Sequence, residues 1–209
     1  MLISLLFTQP EVFFVWVLCV IIAISVHEFS HAMAGYLEGD DTAKLSGRLT
    51  FNPLAHIDWV GLILLIVVGF GWGKPVPFNP YNLKHKRFGP AIVALAGPCS
   101  NFILLVLVGL VLKLVILFSN LSPDNLLITF LVSLIQINLI LMLFNLLPIP
   151  PLDGSKVLYT FLPYKYRNVI IFLETYGTWI LLIFIFFGSS IFSWIFDFFY
   201  SLVLKILVL

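Results

Sequence analysis

Long apolar runs separated by short polar ones dominate the chain. The first covers residues 11–37; it is apolar as far as Ser25 and then carries His27-Glu28-Phe29-Ser30-His31. Others cover residues 89–118, 126–147, 168–187 and 191–208, the last with Asp197 inside it. A membrane helix needs about 20 apolar residues, so the pattern predicts five full spans. Residues 59–70 are apolar but number only about a dozen, which suits a short re-entrant or interfacial element. The stretch DDTAKLSGRLTFNP is polar, turn-rich and partly alternating, and GWGKPVPFNPYNLKHKR has too many glycines and prolines for a helix. Together they predict a small β element at the membrane edge. The proline-dense LPIPPLDGSK breaks the third span near Pro148, and Asp153 then opens a short helix that ends at Phe161.

Composition narrows the class. The chain is 61% hydrophobic and 10% charged, with a mean hydropathy of +1.12. Soluble domains run near ~45–50% apolar and ~25% charged, so no water-soluble fold could hide this surface. The expected fold class is an all-α membrane protein, a polytopic helical bundle in one domain over residues 1–209. A net charge of +1 with scattered basic residues offers no nucleic-acid surface. Cys19 and Cys99 both lie in apolar runs, where packing is expected rather than a disulfide. The first residues lack a basic segment and an A-x-A site, so no cleavable signal peptide is expected.

Basic residues set an orientation. Lys44, Arg48, Lys74, Lys84, Lys86 and Arg87 lie between the first two full spans, and Lys156, Lys165 and Arg167 between the third and fourth. The turn at residues 119–125 has none. The positive-inside rule then places the amino terminus outside, and both basic loops and the carboxy terminus in the cytoplasm. This requires that residues 59–70 do not cross.

His27-Glu28-x-x-His31 is an HExxH motif. On a helix, positions i and i+4 share a face, so two imidazoles can grip one metal ion while Glu28 reaches a water as general base. Zinc suits nitrogen and carboxylate donors with an open position. Three ionisable groups in an apolar helix cost a few kcal/mol each, which argues against a chance string. A third ligand must come from elsewhere, and Asp153, His56 and Asp58 are candidates. The topology puts Asp153 at the depth of the histidines, although it could instead cap the helix that follows.

HEFSH, NPLAHID, GKPVPFNP, AGPCSN and FNLLPIPPLDG, in that order over residues 20–160, resemble the site-2 protease family of intramembrane metalloproteases. The resemblance implies one zinc per chain, held by His27, His31 and Asp153. It implies Glu28 as the catalytic base and Asn145 as a group steadying the oxyanion or substrate. The expected substrate is a transmembrane segment of another protein, cut in regulated intramembrane proteolysis in a prokaryotic inner membrane. The site should face the cytoplasm, and a regulatory membrane partner is expected. The turn at residues 119–125 leaves no room for the PDZ domain that many relatives carry, and no CBS-like domain is expected after the last span. For His56 and Asp58 a supporting hydrogen bond or turn cap is the expected role. Asn101 is read either as a site residue or as a buried contact between spans.

Two rival readings have their own markers. A prenyl-protein-processing type of membrane zinc protease would use a glutamate ligand, and Glu174 is the only late one. A transporter or inactive scaffold would need no base at Glu28, and a transporter would line a path from both faces.

Overall fold

The computed structural model describes residues 2–208 and is helical throughout, with no β-strand among the described residues. Helix α1 (Leu2–Thr8) leads into the long α2 (Pro10–Leu37), which opens with proline in its first turn beside Glu11. A one-turn α3 (Thr42–Leu45) and a 3-10 turn (Pro53–Ala55) precede α4 (Trp59–Val68). Next come α5 (Gly89–Phe118), α6 (Leu126–Asn145), α7 (Asp153–Phe161), α8 (Arg167–Phe187) and α9 (Ser189–Val203). A π turn (Leu204–Val208) extends α9. Five of these segments are long and apolar enough to cross a membrane, namely α2, α5, α6, α8 and α9 with its π turn. The protein is thus an integral, multi-pass membrane protein.

Helices α2, α5 and α6 form the centre. Cys19, Val20 and Ala23 of α2 pack against Leu105, Val108 and Leu112 of α5, and α6 closes the triangle with Leu131, Leu134 and Ile135. In lipid no hydrophobic force drives helices together, so close packing and interhelical hydrogen bonds must. Small residues supply the closeness, with Ala23, Ala32, Ala94 and Gly97 all buried between helices. The last two spans are different. Only Gly177 and Leu181 of α8 are buried, and no residue of α9 is.

Each boundary has a local cause. Asn125 accepts from the Leu127 amide (2.9 Å) and starts α6, and Asp58 accepts from Gly61 (2.9 Å) and starts α4. Gly69, at φ 86°, ends α4 in the left-handed conformation that glycine adopts freely. With 10 residues, α4 is about 15 Å long, half a bilayer core. It does not cross, because the Lys74 amide returns to the His56 carbonyl (2.8 Å), next to where α4 began.

The expected β element is absent. Residues 42–45 form α3 instead, and residues 70–79 run extended without a ladder. Pro75, Pro77 and Pro80 have no amide hydrogen to give a ladder. Side chains take the remaining backbone groups. Arg48 donates to the Lys74 and Pro75 carbonyls (3.1 and 2.9 Å), Glu28 accepts from the Val76 amide (3.2 Å) and Asp40 from the Asn79 amide (2.6 Å). The stretch is thereby strapped across the end of α2.

Asp40 is the buckle. Fully buried, it also accepts from the Thr42 hydroxyl (2.5 Å) and the Asn82 amide (2.9 Å). Burial alone would raise its carboxyl, but the hydrogen bonds from Thr42, Asn79 and Asn82 overcome this and hold it below the usual carboxylate range. Its contribution is therefore complete above the ordinary aspartate value of about 4 and is lost as pH falls through the lower folded value. Asp40→Ala should cost about 1–3 kcal/mol, because several buried donors lose their acceptor. Thermal melting in detergent at neutral pH reads this out, and an unchanged midpoint would mean that the strap is held elsewhere.

The strap brings both basic loops to one end of the bundle. The Lys84 amide bonds the Glu38 carbonyl (2.7 Å), and the Lys156 ammonium sits over the Phe78 ring (5.4 Å). Single cysteines at Lys86 and Lys165 should accordingly react with a membrane-impermeant thiol reagent from the same face, and one at Ser122 from the opposite face. The background is a chain lacking Cys19 and Cys99. Labelling of Lys86 and Ser122 from one face would show that α4 spans the bilayer.

Candidate metal centre

The two histidines of HExxH point from one face of α2 toward α5 and the start of α7. His27 Nε2 and His31 Nε2 stand 3.0 Å apart, and Asp153 Oδ2 lies 3.3 and 3.0 Å from them. All three residues are buried and form a group able to hold a metal ion. Ligands at 2.0–2.1 Å around a tetrahedral ion stand roughly 3.3 Å from one another, so the three donors fit a shared zinc ion and leave its fourth position open. Two imidazole nitrogens and an anionic oxygen are a donor set that zinc accepts.

Each donor is held from behind. His31 Nδ1 donates to the Val93 carbonyl of α5 (2.7 Å). His27 Nδ1 donates to Asn101 Oδ1 (2.6 Å). With both Nδ1 atoms engaged this way, both Nε2 lone pairs face the site, as metal ligation requires. Gly97 makes the room, since a Cβ there would stand 2.5 Å from His31 Nε2 and 2.6 Å from His27 Cε1. The AGPCSN motif thus works through two positions, Gly97 for space and Asn101 for a hydrogen-bond acceptor.

Asp153 is delivered by the break after α6. It is the first residue of α7, whose N-cap is Leu152, so it does not serve as the cap. Its helix-start position favours the anion. A side chain on Gly154 would run into the Leu146 and Leu147 carbonyls, so only glycine lets α7 dock this closely. The second oxygen of Asp153 lies 3.4 Å from the Lys156 ammonium.

The other predicted residues fall outside the metal group. Glu28 faces the strap, accepting from the Val76 amide, and Gly73 passes close enough that a Cβ would stand 3.5 Å from Glu28 Oε1. Asn145 ends α6, and its amide bonds the Leu141 carbonyl (3.0 Å). His56 is fully buried and donates from Nε2 to the Thr50 carbonyl (2.7 Å). Burial, and then the nearby Arg48 charge, push its pKa down, so it is neutral. Asn52 accepts from the Leu54 amide (3.1 Å), and Asp58 caps α4. The NPLAHID motif is therefore a scaffold for the turn into α4, as the sequence suggested for His56 and Asp58. Glu174 lies on α8 away from the histidines, and the third member of the metal group is an aspartate. Three site residues escaped the sequence reading: Val93, Gly97 and Asn138, the last donated to by Asn101 Nδ2 (2.8 Å). Asn138 had a visible signal, an amide inside an otherwise apolar span. A backbone carbonyl such as that of Val93 leaves none.

A buried His-His-Asp group, with two members on a spanning helix and the third at the start of α7, is a donor set that a membrane-embedded metallopeptidase can use, and comparison with known proteins gives it a family. The family model described as "Peptidase family M50" matches residues 114–187. The chain is 40% identical over 169 residues to the "Putative zinc metalloprotease YwhC" of Bacillus subtilis, covering 77% of this chain and 75% of that one. It is 33% identical over 148 residues to the "Putative zinc metalloprotease Rip2" of Mycolicibacterium smegmatis, covering 66% of this chain and 53% of that one. A protein of Methanocaldococcus jannaschii, "Putative zinc metalloprotease MJ0611", is 38% identical over 101 residues, 47% of this chain and 49% of that one. No solved structure matches the chain significantly. The chain belongs to peptidase family M50, the site-2 protease family. It is a zinc-dependent protease.

Gly97→Ala tests the crowding at the site. The added methyl must displace both imidazoles, so zinc affinity should fall by at least about tenfold, the scale of a lost ligand-supporting contact. Competition with a chelating dye measures it. Wild-type affinity would mean that α5 stands farther from the histidines than the structure has it.

Proposed function

We propose that this protease hydrolyses peptide bonds within or at the edge of transmembrane segments of other membrane proteins. The observation that carries the proposal is depth. His27 and His31 lie 10 and 6 residues before the end of a spanning helix, about 15 and 9 Å along its axis. A site at that depth, packed among α2, α5 and α7, is reached more readily by a chain already in the membrane than by a folded soluble protein.

The chemistry divides among named groups. Zinc, when bound by His27, His31 and Asp153, supplies a Lewis acid that polarises the scissile carbonyl and acidifies water. Glu28 takes the proton from the attacking water and delivers it to the leaving amine. The Val76 amide holds the Glu28 carboxylate in place until then. Asn145 gives one amide hydrogen to Leu141 and offers the other to the developing oxyanion. A helical substrate has its carbonyls hydrogen-bonded and must unwind locally to present one.

Two cavities suit this traffic. One of about 190 Å³, walled by Trp16, Ile24, Leu65, Trp72 and Ile137, starts one turn before Glu28 and takes apolar side chains. The other, of about 570 Å³, lies between Phe78, Arg87, Lys156, Tyr159 and Glu174 at the basic end, with Ser155, two residues after Asp153, in its wall, and offers water an approach. By the positive-inside rule that end faces the cytoplasm of a prokaryotic cell, with the site opening toward it. Regulated intramembrane proteolysis, under control of a membrane partner, is the setting this reading implies.

Glu28→Gln should abolish cleavage of a membrane-inserted test substrate, by at least about 100-fold, yet keep zinc, because glutamine preserves size but cannot accept the proton. His27→Ala and Asp153→Ala should lose zinc and cleavage together, since a tetrahedral catalytic site has no spare ligand. Near-normal cleavage by Glu28→Gln would remove it as the base. Full zinc occupancy in Asp153→Ala would remove that carboxylate from the site.

A further inference from the structure

Asn101 and Asn138 are both completely buried in spanning helices, between apolar neighbours such as Leu105, Leu134 and Ile135. Their hydrogen bonds have a direction. The Leu134 carbonyl can only accept, so Asn138 must present its Nδ2 to it (2.8 Å). Asn138 Oδ1 is thereby turned to Asn101, whose Nδ2 donates to it (2.8 Å) and to the Ala23 carbonyl (3.3 Å). Both amide hydrogens of Asn101 are then spent on acceptors, and its Oδ1 faces His27 Nδ1 at 2.6 Å. An oxygen there requires a hydrogen on Nδ1, which leaves His27 Nε2 as a bare lone pair aimed at His31 and Asp153. The polarity starts at a backbone carbonyl of α6, crosses α5 and ends on α2.

We propose that Asn138 and Asn101 form a directional relay that fixes the tautomer and ring angle of His27, and so sets the metal affinity of the site. This rests on the reading of His27 as a metal ligand. Both asparagines are positioning residues. The contrast with His31 explains why side chains are needed. His31 meets a backbone carbonyl, that of Val93. His27 lies one turn earlier on α2 and faces α5 eight residues farther on, where it is a side-chain oxygen that takes its proton. Interhelical packing alone would be served by leucine of similar volume, without the cost of two amides in an apolar surround.

The test uses the full-length protein in detergent, stripped of metal and labelled with ¹⁵N-histidine; its four histidines make assignment by substitution direct. The wild type should show the Nδ1–H tautomer at His27. Asn101→Leu should shift His27 toward Nε2–H and lower zinc affinity roughly 10–100-fold, the usual scale for a lost ligand partner. Asn101→Asp restores an acceptor for His27 Nδ1–H but leaves Asn138 Oδ1 and the Ala23 carbonyl without a donor, so it should recover the Nδ1–H tautomer and only part of the affinity. Asn138→Leu should lose less than Asn101→Leu, since the Ala23 carbonyl still orients Asn101. A metal-free wild type with His27 in the Nε2–H form overturns the relay even if no leucine variant folds. So does wild-type zinc affinity in Asn101→Leu alongside loss of zinc in His27→Ala, an outcome that leaves the ligand reading intact. Zinc retained by His27→Ala would instead overturn the ligand reading and the relay with it.

Discussion

A polar group inside a bilayer cannot fall back on water, so every donor and acceptor at that depth must find its partner within the protein. The arrangement of α2, α5 and α6 follows from this constraint. Two imidazoles, a carboxylate and two amides sit together where each one's presence is tolerated because the next is there. His27 satisfies Asn101, Asn101 satisfies Asn138 and the Ala23 carbonyl, and Asn138 satisfies the Leu134 carbonyl. The three spanning helices that supply the imidazoles and amides are also the most buried of the five spans.

The same constraint shapes the polar end. The strap at residues 70–79 is irregular backbone, allowed near membrane depth only because it is covered and bonded by protein. Arg48, Glu28 and Asp40 each hold one part of it, so the glutamate of the HExxH motif is tied to the fold around it. Proline denies the strap a ladder, glycine at position 73 lets it lie against α2, and the result is a fitted cover without regular structure.

Much of this was legible in the chain. The spans are encoded by length and hydropathy, which read alike in sequence and structure; the second full span and the short helix after the prolines have the same bounds in both. The HExxH spacing marks His27 and His31, whereas depth leaves Asp153 beside His56 and Asp58 as candidates and only the resemblance singles it out; the structure groups His27, His31 and Asp153. The β element was misread because alternation in a short polar stretch does not reveal that side chains will claim its backbone groups. The short α1 was not foreseen, since seven residues at a chain end carry too little periodicity to mark a helix. Contacts made through the backbone, such as His31 to Val93, or through the lack of a side chain, as at Gly97, depend on which helices become neighbours. No local pattern records that.

The thin burial of α8 and α9 has a consequence for how the protein meets its solvent. A spanning helix with little of its surface buried takes its tilt largely from the match between its apolar length and the thickness of the hydrocarbon layer. Gly177 of α8 rests directly against Pro150, three residues before Asp153. A change in tilt of α8 would therefore bear first on the segment that carries Asp153, whereas His27 and His31 sit on a helix of the central triangle. Bilayer thickness would then act on one corner of the His-His-Asp group before the other two.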